Sequence, residues 1–175
     1  KFYKGFDLSD GNFEIIIDNS TVNAEGNASI NGTSVKVAIN HLIDSNVNHP
    51  TSGIIEGEFN NNQVNSFGLD VMNTSKKIPF SIEFIGSATD VKDIFINLEL
   101  TSIGLDLPEV NLRKSPGDQA FGYFHLAPSN NSIKVPSFSF SSKSINANGE
   151  LLFFPEEKNV FGNVDINQVS FGFEW

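Results

Sequence analysis

Apolar residues recur at every second position along most of this chain. Phe13, Ile15 and Ile17 alternate with Glu14, Ile16 and Asp18; Val22, Ala24, Gly26, Ala28 and Ile30 alternate with Asn23, Glu25, Asn27 and Ser29. Asn31-Gly32 follows, and Val35, Val37 and Ile39 run back. Asn-Gly between two alternating runs is a strong hairpin signal, because both residues tolerate the positive φ that a tight turn needs. The longest such stretch is Ile94–Leu126. Ile94, Ile96, Leu98 and Leu100, then Ile103, Leu105 and Leu107, share one side; Ala120, Gly122, Phe124 and Leu126 resume the pattern beyond Pro108 and Lys114-Ser115-Pro116-Gly117. Successive side chains of a strand point to opposite faces, so period two predicts strands with one apolar and one mostly polar side.

Further strands are expected at Ile54–Phe59, Phe80–Phe84, Ile133–Phe140, Ile145–Phe153 and from Val164 to the terminal run Val169, Phe171, Phe173, Trp175. Turn residues separate them at Ser9–Asn12, Pro128–Ser132 and Pro155–Asn159, and Pro136 marks a bulge, an edge or a strand start. His41–Ser52 has loop composition. Asn60–Leu69 is expected to form one short helix, with Met72–Lys77 a loop after it. Thr21–Gly26 (TVNAEG) resembles Ser144–Gly149 (SINANG), each with small residues on the apolar side, which fits either a duplicated unit or coincidence among Asn-rich strands. The pattern predicts an all-β antiparallel meander. By itself it leaves open whether the sheet packs on a second sheet, closes on itself or stays open.

The net charge of −10 and the single arginine, Arg113, argue against nucleic acid, which needs clustered cations for phosphate contacts, and against a basic lipid-docking patch. Without cysteine there is neither disulfide nor thiolate metal site. His41, His49 and His125 show no ligand spacing, and scattered Asp and Glu single out no catalytic pair. Nucleophile-elbow and phosphate-loop motifs are absent. We therefore expect neither enzyme activity nor cofactor nor metal. Asn-x-Ser/Thr triplets at Asn19, Asn27, Asn31, Asn73 and Asn130 are expected by chance in an Asn-rich chain. Trp175 stands inside an alternating run, which suggests one β-rich segment (residues 1–175) of a longer protein, with repeat units near 1–86 and 87–175.

The strand Ile94–Leu100, the run Ile103-Gly104-Leu105-Asp106-Leu107-Pro108, the Lys114-Ser115-Pro116-Gly117 segment, the strand Gln119–Leu126 and the strand pair around Phe138–Phe140 and Ile145–Phe153 resemble the AsmA-like family of bacterial envelope proteins, in particular its YhdP-type region. The unit Val22–Ile39 and the segment Gln63–Leu69 before Ile78-Pro79 are similar too. Where that family often has tryptophan before the lysine, Arg113 stands here. The resemblance implies a curved antiparallel meander forming an open, taco-like groove. It also implies a periplasmic location in an inner-membrane-anchored protein, with phospholipid acyl chains and neighbouring segments of the same chain as partners. The function it implies is intermembrane phospholipid transport in support of outer-membrane lipid homeostasis. The expected groove lining is Val22, Ala24, Ala28, Ile30, Val35, Val37, Ile39, Phe80, Ile82, Phe84, Ile94, Ile96, Leu98, Leu100, Ile103, Leu105, Phe124, Leu126, Phe138, Phe140, Ile145, Leu151, Phe153 and Phe171. The alternative is a β-sandwich adhesin or carbohydrate-binding module, for which Trp and Tyr stacking platforms are scarce.

Overall fold

Among the described residues, period-two alternation folds into twelve strands. They are β1 (Leu8–Ile17), β2 (Thr21–Ile30), β3 (Thr33–Leu42), β4 (Thr51–Phe59), β5 (Ile78–Gly86), β6 (Val91–Glu99), β7 (Leu105–Leu107), β8 (Leu112–Lys114), β9 (Ala120–Pro128), β10 (Ile133–Ser142), β11 (Ile145–Phe154) and β12 (Asn159–Val169). The computed structural model describes residues 8–43, 46–60, 77–87, 90–107, 112–143, 145–157 and 159–169. The expected helix, from residue 61 on, and Phe171 lie outside the described residues.

Ten strands form one antiparallel sheet in the order β1-β2-β3-β4-β5-β6-β9-β10-β11-β12, and β7 pairs with β8 in a separate two-stranded sheet. The large sheet is an open meander: each strand pairs with its neighbours in sequence, apart from the β7–β8 insertion, and among the described residues β1 and β12 are its edges. Among the described residues there is no helix.

The turns follow from local chemistry. Asn31 (φ 48°) and Gly32 (φ 80°) are both left-handed, the type I′ geometry that suits the twist of a two-residue hairpin. At the β1–β2 turn, the Ser20 N–H (2.7 Å) and Thr21 N–H (2.8 Å) and both hydroxyls donate to the Asp18 carboxylate. These bonds, led by the Ser20 N–H, hold its pKa down to about 2. Ser115-Pro116-Gly117-Asp118 is a proline–glycine turn, with Gly117 at φ 97° and the Asp118 N–H donating to Ser115 O (3.3 Å).

Three expectations are corrected. Ser9–Asn12 is not a turn but a bulge within β1, with Asp10 at φ 52°. β2 is long enough to pair on both sides of it, so the turn-prone residues are absorbed as an irregularity in the ladder. His41 and Thr51-Ser52 are not loop: they belong to β3 and β4, where the His41 Nδ1 and Thr51 Oγ1 lie 2.8 Å apart. The apolar run through Leu107 is not one stripe either. β6 ends at Glu99, the chain turns at Thr101–Ile103, and Leu105 pairs with Lys114 outside the large sheet. Pro136 does sit in a bulge, between Val135 and Phe138.

Candidate functional site

Register decides which side chains share a face, because residues directly opposite in an antiparallel ladder project to the same side. One row runs Ile15, Ala24, Ile39, Gly53, Phe84, Ile94, Leu126 across seven strands. The next runs Phe13, Gly26, Val37, Ile55, Ile82, Ile96, Phe124, Phe138, Gly149, Val164 across all ten. A third holds Ala28, Val35, Gly57, Phe80, Leu98, Gly122, Phe140, Ala147 and Ile166. No Asp, Glu, Lys or Arg stands in these rows. The flanking rows hold the expected Val22, Ile30, Ile145, Leu151 and Phe153. Of the expected lining, Leu100, Ile103 and Leu105 lie off the large sheet, beyond the end of β6.

The face is closed over part of its width. Ala28, Ile30, Val35, Val37, Ile55, Phe80 and Phe84 form a buried cluster over β2–β5. β4 presents Gly53 and Gly57 there, and rings from β5 lie over both. A Cβ on Gly53 would run into the Phe84 ring and lie 2.8 Å from Ala38 O; one on Gly57 would lie 2.9 Å from the Phe80 ring. Phe59 stacks on Phe80 at 4.0 Å. Ring-over-glycine packing thus lets one sheet bury its own apolar residues. Gly53→Ala is expected to destabilise by about 1–3 kcal/mol through overpacking, seen as a lower melting temperature.

One end of the face is also closed, by the connection from β6 to β9. Ile103 is fully buried with Ile78, Leu100 and Ala120. Lys114, at the end of β8, is buried beside it. Its ammonium donates to the backbone carbonyls of Ile103 (2.7 Å), Ser115 (3.1 Å) and Thr101 (3.4 Å). Burial pushes the Lys114 pKa below the ordinary 10.5, with Asp118 pulling weakly the other way.

Towards the edges the same face opens. Phe124, Leu126, Phe138, Phe140, Ala147, Leu151 and Phe153 are half-buried, and at the rims Ile15, Ile17, Val160, Val164 and Ile166 are 54–69% exposed. These five rim residues and Ile55 and Ile78 are absent from the lining expected from sequence. Their signal was the same alternation, blurred in β1 by three consecutive isoleucines, Ile15–Ile17.

By the same registers the opposite face carries Glu14, Glu25, Lys36, Glu56, Glu83, Glu99, Asn148 and Asp165, and also a column of rings on β6 and β9. Phe95 stacks on His125 at 4.6 Å, and the His125 Nε2 lies 2.6 Å from the Asp93 carboxylate. Tyr123 and Phe121 continue the column along β9. Among the described residues no cluster of three or more His, Asp or Glu is placed to hold a metal, and no helix is long and apolar enough to cross a membrane. No family model, curated protein or solved structure matches the chain.

Proposed function

We propose that this chain is a lipid-conducting segment of an AsmA-like envelope protein. In this reading it carries phospholipid acyl chains along the apolar face of its sheet, in the periplasm of an inner-membrane-anchored protein, without enzymatic activity. The observation that carries the reading is the uncharged face across ten strands of an unclosed sheet, half-buried on β9–β11 and exposed at both rims. Acyl chains need a continuous apolar track, because removing a methylene from water is worth about 0.8 kcal/mol. Headgroups need no site of their own if they stay in water. An exposed apolar strip of this kind otherwise invites aggregation, so an occupant stabilises the folded, monodisperse protein.

In this reading lipid contact belongs where the face is not already filled by its own side chains. The rings over Gly53 and Gly57 already fill the face above β4, so the track runs over β6, β9–β12 and the rim of β1. A photo-crosslinking residue placed at Leu151 or Ile96 in protein expressed in the bacterial envelope should capture phospholipid. The same residue at Glu150 or Asn97, one position along on the opposite face, should not. Equal capture from both faces would remove the basis for a groove.

A further inference from the structure

The polar face has a shape of its own. A depression of about 370 Å³ lies on it between β4, β5, β6, β9 and β10. That is at the low end of small-ligand sites. Its walls are Pro79, Phe121 and Tyr123, and its polar groups are Glu56, Ser81, Asn97, Glu99, Ser139 and Ser141. A second depression of about 360 Å³ follows across β10, bordered by Ser137, Asn148, Asn163, Glu150 and Asp165. Both lie along one transverse row of the sheet, in which Glu56, Ser81, Asn97, Tyr123, Ser139, Asn148 and Asp165 stand directly opposite one another in turn.

We propose that this row is a saccharide-binding site for a neutral glycan laid across the strands, stacked on Phe121 and Tyr123. Phe121 is 47% exposed in a depression whose other walls are Tyr123 and Pro79 and whose polar groups are Ser, Asn and Glu. Folding leaves such a ring in water at a cost, and a partner that covers it gains apolar burial. The electron-rich face of a ring attracts the partly positive C–H groups on the flat side of a pyranose. Hydroxyls, amides and carboxylates around it accept from, and donate to, sugar hydroxyls. Neighbouring strands are about 4.8 Å apart, so these polar groups repeat across the row on the scale of successive sugar units.

Charge selects among ligands. Among the described residues no Lys or Arg lines either depression, which disfavours phosphates, sulfates and acidic sugars as ligands. Glu56 stands directly opposite Lys36 in the β3–β4 ladder, which offsets its charge. In the first depression the other carboxylate is Glu99, opposite Phe121 in the β6–β9 ladder and among three serines and an asparagine. That lining suits a neutral polyol better than a cation. This site is on the face opposite the proposed lipid track and stands independently of it.

An array of neutral glycans, followed by calorimetric titration of the binders as oligomers of increasing length, tests the assignment. The wild-type protein should bind at least one neutral glycan class, more tightly as the chain lengthens. Affinity should change little between about 0.05 and 0.5 M salt, because screening acts on charged pairs. Phe121→Ala should weaken binding about tenfold by removing the stacking surface, with the melting temperature preserved because the ring is exposed. Ile166→Ser, on the other face, should leave binding unchanged. Absence of any neutral glycan ligand overturns the proposal. Binding that survives Phe121→Ala does so too, as does a preference for polyamines that collapses in salt.

Discussion

Replacing Lys114 with alanine is expected to lower the stability of the fold by about 3 kcal/mol. Two effects oppose each other. Deleting the side chain removes an ammonium whose desolvation works against folding, and it strips three carbonyls of their donor. Thr101 O keeps a second donor, the Gly117 N–H at 2.7 Å. Ile103 O, the closest acceptor at 2.7 Å, sits in the most buried part of the chain. An unsatisfied buried acceptor costs about 1–3 kcal/mol, and a cavity beside Ile103 and Gly104 adds to it. The loss of donors and packing therefore outweighs the relief. Lys114→Met keeps most of the volume and should cost less, about 2 kcal/mol. Denaturant titration of the three proteins measures this, and a loss below about 1 kcal/mol for alanine would mean that the carbonyls find water instead.

The same residue gives a pH dependence with a defined sign. The folded pKa of Lys114 lies below the 10.5 of the unfolded chain. Between the two values the unfolded chain binds more protons, so this group's contribution favours folding increasingly as pH rises through that window. At neutral pH the full cost of the buried charge is present. Wild type should therefore gain on Lys114→Met as pH rises towards 10.5; a constant difference would show that the ammonium is well solvated in the fold.

The second large effect is a gradient within a single face. Ile55→Asp should unfold the protein or cost more than about 4 kcal/mol, because Ile55 is 3% exposed among Val35, Val37, Phe80 and Phe84, and a carboxylate there has no partner. Ile15→Asp is on the same face, in the neighbouring row and three strands away, yet it is 60% exposed and should change stability by about 0.5 kcal/mol or less. Thermal melts of both variants, with Ile166→Asp at the other rim, measure the contrast. Equal, large losses at all three sites would mean that the rims are covered in solution. That outcome would place a partner strand or a second copy on them, in competition with lipid.

The alternation at Val22–Ile39 and Ile133–Phe153 was enough to assign strands, faces and an antiparallel meander, because side-chain direction in a strand depends only on the parity of position. Asn31-Gly32 was enough to place a hairpin, since its backbone preferences are local. Ser9–Asn12 shows the limit: the same turn-prone residues make a bulge when the neighbouring strand continues past them, and that depends on β2. His41 and Thr51 show it again, drawn from an apparent loop into paired strands by the extent of the β3–β4 ladder.

Whether the apolar face was core or groove could not be read from its composition. It is core where Phe80 and Phe84 reach across to Gly57 and Gly53, and open at Ile15 and Val164. That distinction arises from which strand lies beside which, not from any residue's own hydrophobicity. The burial of Lys114, in a polar segment that reads as surface, depends on carbonyls up to 13 residues away. Phe121 and Tyr123 join Asn97 and Ser139 only through the registers of three strands. Parity along the chain thus determined what each strand shows to either side. The order and register of ten strands decided which side chains meet, because cross-strand neighbours lie about 5 Å apart in space at any separation in sequence.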